Sequence, residues 1–446
     1  MADAHGLHVA LVSLGCPKNL VDSEKILAHL AEGGCVVGAP MAEADVIVVN
    51  TCGFISPAIE ESLEVIAEAV AHKRAGRARR VVVAGCLVNR EGEALLGRVE
   101  GIDAIVGVND RDEILAAVTA PGRVARVSQC PGTAGSDAGR FRLTPRHTAY
   151  LRIAEGCSRR CTFCTIPAIR GPFRSKPPDH VLAEARELIA DGAVELNVIA
   201  QDTTGYGGDL SAEVTPASLL RSLAALEGVE WVRLMYAYPH RITDELIETL
   251  SECGRIVPYL DIPLQHVSEG VLKRMGRGGT RGRIERLLAD LRRRIDGLVL
   301  RTTFIVGFPG ETEADFRELL DFVEASRFDA LGVFPFYPEA GTPAAHLDGR
   351  VGEGVAAERR EAVMLAQQRI AFEANRRRIG SAIRVLVDGT DADGNCLGRY
   401  YGQAPDIDSI CRLVQPAPAG TFVAGRVVGC EGYDLVVDGQ APAGPK

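Results

Sequence analysis

The chain has 446 residues, a net charge of −9, and 46% hydrophobic and 24% charged residues. That length is more than one core organises and points to two to four domains. The composition is that of an ordinary globular protein, with apolar runs far shorter than the ~20 residues of a membrane span, and the acidic balance disfavours broad nucleic-acid binding.

The amino-terminal "MADAHGLHVALVSLGC" has no basic segment ahead of its strand-like run, which implies no signal peptide and a cytosolic chain. From residue 7 to about 120, strands and helices alternate. "LHVALVSLG" is followed by a helical pattern capped by Ser23 and stopped at Gly33. "ADVIVVN" is followed by a second helix, with Ser56 as cap and Pro57 at its first position, and "RRVVVAG" is a third strand. The alternation predicts a parallel sheet with helices on its faces. Residues 121–142, rich in Gly, Pro and Ser, read as a linker.

Across residues 143–372 the strand–helix pattern repeats six times, through "AYLRIAEG", "VELNVIAQ", "WVRLMYAY", "VPYLDIPL", "LVLRTTFIVG" and "FDALGVFPF". A closed barrel of this kind has eight units in about 250 residues, so six predict an open, partial (β/α) barrel. Residues 375–441 then show five short strands without helices between them, the pattern of a small OB-like β-barrel. The fold class is α/β throughout the first two parts.

Twelve cysteines in a cytosolic chain favour metal or redox use over disulfides. Cys157, Cys161 and Cys164 follow the first barrel strand, at the carboxyl mouth where barrel sites are built. A structural zinc wants four protein ligands and no fourth lies nearby, whereas a 4Fe–4S cluster on three cysteines keeps one iron open. Cys16, Cys52 and Cys86 each end a strand of the amino-terminal sheet, and adjacent parallel strands bring their carboxyl ends to one edge. They are either a second metal site or three buried small hydrophobic residues.

The loop "GCSRRCTFCTIPAIRG" resembles that of the radical S-adenosylmethionine (SAM) superfamily, whose open iron binds the amino and carboxylate groups of SAM. With "SLGCPKNLVDSE" and "VNTCGFI" it is similar to the methylthiotransferase branch. That resemblance covers nearly the whole chain. It implies an amino-terminal domain holding an auxiliary 4Fe–4S cluster on Cys16, Cys52 and Cys86, a radical SAM core with its cluster on Cys157, Cys161 and Cys164, and a carboxyl-terminal TRAM domain. Cys35, Cys130, Cys253, Cys396, Cys411 and Cys430 match no ligand position.

The resemblance also outlines a SAM pocket. Gln201 and Asp202 follow the second barrel strand, where the alternative is an ordinary Asp/Thr/Gly turn. Gly307 lies in "IVGFPGETEADF", similar to the superfamily's adenine-contacting turn, with Thr312 and Asp315 also readable as a helix cap. Phe163 is placed to pack on adenosine. Asp261, Gln265 and His266 fall at the mouth of the fourth strand, and Arg170 and Arg174 either recognise an anion or are solvated loop residues.

Two branches share this chemistry: one modifies an adenosine of transfer RNA, the other an aspartate of small-subunit ribosomal protein S-twelve. From Gly380 onward eight acidic and five basic residues leave a net −3, unsuited to phosphate and suited to a basic protein. "SLGCPKNLVDSE" and "QDTTGYG" also look like the ribosomal-protein branch. The sequence reading is therefore an S-twelve methylthiotransferase served by a low-potential electron donor, with Asp406 and Asp408 in an exposed turn that docks the basic partner. The alternatives are a transfer-RNA methylthiotransferase and a non-enzymatic iron–sulfur carrier.

Overall fold

The computed structural model describes residues 4–128 and 133–439; Cys130 and Lys446 lie outside the described residues. The first sheet comprises β1 (His8–Ser13), β2 (Val36–Val37), β3 (Val46–Thr51), β4 (Arg80–Gly85), β5 (Ala104–Val106) and β6 (Val124–Arg126). All pair in parallel in the order β2-β1-β3-β4-β5-β6. Every residue of β3 and β4 is buried, as a sheet covered on both faces requires. The sixth strand falls within residues 121–142.

Two helix starts differ from expectation. Helix α1 (Pro17–Glu32) begins six residues ahead of Ser23, with Cys16 at its N-cap and Pro17 supplying a preset first turn. Ser23 is buried in mid-helix, where its hydroxyl donates to Ser13 Oγ at 2.7 Å and accepts from Asn50 Nδ2 at 2.7 Å. The error arose because α1 buries polar residues, including Lys18, Asn19 and Asp22, that an apolar periodicity does not count. Helix α2 (Ser56–Arg74) is preceded by Ile55 at the cap, so Ser56 and Pro57 are its first two residues.

The second sheet contains β7 (Thr148–Arg152), then, beyond a small antiparallel ribbon of β8 (Ala154–Glu155) with β9 (Arg174–Ser175), β10 (Glu195–Ile199), β11 (Trp231–Leu234), β12 (Ile256–Asp261), β13 (Val299–Val306) and β14 (Ala330–Pro335). Its six strands run parallel in sequential order and do not close, giving the open partial barrel. Leu151, Leu196, Leu234, Leu260 and Phe304 face outward into the main core. The opposite face carries Tyr150, Ile199, Met235 and Tyr259, which pack with Leu20 and Val21 of α1 and with Leu386 and Ala404 of the carboxyl-terminal part.

A long helix, Glu353–Arg378, leads to β15 (Ala382–Thr390), β16 (Cys396–Tyr400), β17 (Cys411–Leu413), β18 (Phe422–Glu431) and β19 (Asp434–Asp438), a closed barrel in the order β15-β16-β17-β19-β18. Its 401–408 segment meets the inner face of the partial barrel, which corrects the expectation of exposure for Asp408 and leaves Asp406 exposed. The Asp408 side chain is 5% exposed, accepts from Tyr259 Oη at 2.7 Å and Ala404 N at 2.9 Å, and faces Arg301 Nε at 3.4 Å. Asp406 is exposed, yet its carboxylate accepts from Tyr150 Oη at 3.0 Å. Inward-facing tyrosine hydroxyls need acceptors once the barrel is covered, and these aspartates supply them. Among the described residues no helix is long and apolar enough to cross a membrane.

Beside this contact Glu195 is fully buried and binds Arg233 Nη2 at 3.0 Å and Arg399 Nη2 at 2.8 Å. Burial alone would raise its carboxyl, but Arg399 and then Arg233 hold it down to about 2. The stabilisation is therefore complete above its ordinary 4.5 and is lost as pH falls toward 2. Glu195→Gln is expected to cost about 3–5 kcal/mol at neutral pH, because two buried guanidinium groups lose a charge partner. Denaturant unfolding at neutral pH and at about pH 3 should show the difference shrinking in acid; an equal difference at both would refute the assignment.

Candidate functional site

Three cysteines separated by 36 and 34 residues are gathered at one edge because β1, β3 and β4 are neighbours. Cys16 caps α1, Cys52 follows β3, and Cys86 opens the short helix α3 (Cys86–Glu91). Asn19 lies among them, its Nδ2 donating to Leu14 O at 2.6 Å and its Oδ1 3.9 Å from Cys86 Sγ. Gly15, at φ +91°, lets the chain pass Cys52: a Cβ there would sit 3.2 Å from the thiol sulfur. Cys16 is exposed, Cys52 half-buried and Cys86 buried. Burial pushes the Cys86 thiol up to about 12 and raises Cys52.

The second set sits on the loop between β8 and β9. Cys157 N donates to Gly171 O and Cys164 N to Cys161 O, both at 3.1 Å, which fixes the loop's curl. Thr162 ties it to the region after β12, with its N–H on Met275 O at 3.0 Å and its hydroxyl on Arg274 O at 2.8 Å. Burial pushes Cys164 up to about 12 and raises Cys157. Arg277 Nη1 is 3.7 Å from Cys161 Sγ, and Arg277 and Arg159 both lie over the Tyr238 ring, at 4.6 and 3.8 Å from its centroid.

The chemistry of both sets suits an iron–sulfur cluster. Thiols that burial holds protonated need a bound cation to become ligands. Among the described residues no three His, Cys, Asp or Glu side chains converge as a single ion demands. Each set also has a guanidinium on one sulfur, since Arg170 Nη2 lies 3.4 Å from Cys86 Sγ, and such N–H donors accompany metal-bound thiolates.

Arg170 is neither free nor solvated. It is buried and also binds Asp22 Oδ2 at 2.7 Å and Glu155 at 3.2 Å. Arg174 is buried too, bonded to backbone carbonyls of Arg170 and Pro172. Asp202 lies beside the cysteine loop, accepting from Arg159 Nε at 3.0 Å and Thr204 Oγ1 at 2.7 Å, so it both builds the turn and anchors the loop. Gln201 keeps a buried Oε1 without a hydrogen-bond partner among the described residues. Phe163 packs edge-to-face on Phe308 at 6.5 Å, next to Gly307. Gly307, at φ +72°, passes so near the helix after β14 that a Cβ would meet Ala356 Cβ at 2.5 Å. His266 is buried, lowered by desolvation to about 4 and hence neutral, with Nδ1 accepting from Ser268 N. Asp261 is bound to Arg301 at 3.0 Å, and Thr312 with Asp315 forms the expected capping box.

Comparison with known proteins bears on this arrangement. Residues 151–323 match the radical SAM superfamily, 8–107 the uncharacterized protein family UPF0004, and 379–438 the TRAM domain. A ribosomal protein uS12 methylthiotransferase RimO of Geobacter sulfurreducens is 44% identical over 96% of this chain and 97% of its own. Another, from Pelotomaculum thermopropionicum, is 47% identical over 96% and 98%. The chain belongs to the RimO family of radical SAM methylthiotransferases. Membership makes it a transferase. Among solved structures, the radical SAM methyltransferase TsrM of Kitasatospora setae, with tryptophan and a SAM analogue, shares the fold at a TM-score of 0.56 and 16% identity, over 83% of this chain and 90% of that one.

Sequence reading missed Lys18, Arg159, Tyr238 and Arg277. Lys18 sits two residues from Cys16 within a motif already singled out, whereas Arg277 is 116 residues from its cysteine and had no local signal. If both sets hold 4Fe–4S clusters, anaerobically reconstituted protein should contain about eight irons and lose about four when either triad is replaced by Ala. Four irons in the fully reconstituted wild type would rule out the second site.

Proposed function

We propose that this chain methylthiolates the β-carbon of an aspartate in ribosomal protein uS12, with a 4Fe–4S cluster on each thiol set and SAM as both methyl donor and radical source. What supports this most is that two cysteine triads lie on elements bonded to each other, through Thr165 to Phe54 O and Arg170 to Cys86 Sγ, in a chain similar over 96% of its length to RimO proteins. When bound, the barrel cluster supplies the electron that cleaves SAM to a 5′-deoxyadenosyl radical, and the auxiliary cluster serves the sulfur transfer.

The chain's own residues make that chemistry local. Asp202 holds Arg159, and with Tyr238 and Arg277 this stack pins the cysteine loop against the barrel rim. Phe163 and Phe308 close the loop's underside to water. Gln201 presents a buried acceptor with no protein donor, suited to an amino or hydroxyl group of SAM. Thr165 Oγ1 donates to Phe54 O at 3.1 Å, one of several bonds that fix the two thiol sets relative to each other. All eleven described cysteines are free, which fits a reducing cytosol holding ribosomes and a low-potential electron donor.

The test is an anaerobic assay with methyl-labelled SAM, a reductant, and either uS12 or transfer RNA. Label should enter uS12. Replacing Cys16, Cys52 and Cys86 together should abolish that product while 5′-deoxyadenosine still forms, because SAM cleavage needs only the barrel set. Label entering transfer RNA and not uS12 would overturn the substrate; loss of 5′-deoxyadenosine in the triple variant, with its barrel cluster intact, would overturn the division of roles.

A further inference from the structure

Most large buried cations in this protein are matched by carboxylates. Lys176 Nζ has Asp137 at 2.6 Å and Glu184 at 2.7 Å, and Arg152 has Asp22 at 2.7 Å and Asp137 at 2.5 Å. Lys18 differs. It is 7% exposed, and among the described residues no carboxylate lies within ion-pairing distance of its ammonium. Its Nζ rests 3.1 Å from the centroid of the Tyr236 ring. The side chain is buried while its ammonium, with three N–H donors and a ring face beneath it, donates to no acceptor among the described residues, an arrangement suited to receive an anion.

The surroundings are strained in the way functional sites are. Tyr236, just past β11, adopts φ +61°, a left-handed conformation that an aromatic residue rarely takes. Its N–H points at Asp261 Oδ2 at 3.3 Å, and Asp261 is itself committed to Arg301. Gln265, after the neighbouring strand β12, is also left-handed at φ +73°. The first turn of α1 thus delivers Lys18 into the open side of the barrel at its carboxyl end. The charges that act on it there are those of Cys16, Asp261, Arg170 and Glu155.

We propose that Lys18 binds the side-chain carboxylate of the aspartyl substrate and so selects aspartate over uncharged side chains. This rests on the ribosomal-aspartate reading above. The carbon to be modified must lie between the radical source on the barrel loop and the sulfur chemistry at Cys16, Cys52 and Cys86. The aspartate carboxylate is one bond from that carbon, so it arrives where the unpaired ammonium stands. Tyr236 holds the ammonium from below by cation–π attraction and leaves its N–H groups directed at the incoming group.

The test uses anaerobically reconstituted holoenzyme with SAM and two peptides of the uS12 loop, one with the target aspartate and one with asparagine in its place. Wild type should bind the aspartyl peptide roughly ten- to a hundredfold more tightly, the range expected for hydrogen bonds to a charged group. Lys18→Met should bind both peptides alike, near the wild-type affinity for the asparagine form, while Lys18→Arg should keep much of the preference. Iron content identifies variants that have lost the site as a whole, and in that event the wild-type and Lys18→Arg comparison decides. Equal binding of the two peptides by wild type, loss of the preference in Lys18→Arg with its iron intact, or a preserved preference in Lys18→Met would overturn the role. Failure of wild type to bind either peptide would instead refute the uS12 reading, and the Lys18 role with it.

Discussion

Arg152, wholly buried at the end of β7, is neutralised by carboxylates from two other parts of the chain: Asp22 on α1 and Asp137 in the segment after β6. Asp22 also holds Arg170 and Arg111, and Asp137 holds Lys176, so one charge network spans the amino-terminal domain, its connecting segment and the barrel. Burial opposes ionisation of both aspartates, yet the surrounding arginines keep each carboxyl far below its usual range. Removing any member would strand a buried charge, a loss of order 3–5 kcal/mol. The two thiol sets are placed relative to each other through this network, because Arg170 belongs to it and touches Cys86.

The two thiol sets have matching surroundings. Each triad has one cysteine whose thiol burial drives to about 12, and each has an arginine near a sulfur. If clusters are bound as proposed, burial would shield these thiols from water, and the guanidinium groups would offset the negative charge that thiolates bring. The protein thus supplies low-dielectric pockets and fixed positive charge, and leaves the bond-making to its bound groups.

Much of the architecture was legible because it follows local rules. The strand–helix alternation, the run of six barrel strands and the five carboxyl-terminal strands follow from apolar periodicity and turn residues. The cysteines stood out by spacing or by their place after strands. What escaped was set by distant partners. Asp408 read as a solvent-facing turn residue because Pro405 and its neighbours mark a loop, while Tyr259, which draws it inward, lies 149 residues away. Ser23 looked like a cap because the buried face of α1 is polar, and that polarity makes sense only against Asn50, Arg152 and Arg170. Lys18 stood inside the "SLGCPKNLVDSE" motif, but its lack of a carboxylate partner among the described residues is a property of the folded environment.

The carboxyl-terminal barrel, seated on Tyr150, Arg233 and Tyr259, stops the lower opening of the partial barrel. With that end covered, a bulky partner would have to approach from the carboxyl ends of the strands, where the thiol-bearing loop lies. On the reading proposed above, a small co-substrate bound beneath that partner would have to enter before it docks, and its fragments would leave after it withdraws. Turnover on a large macromolecule would then be paced by undocking, so a short excised loop should cycle faster than the intact assembly that contains it.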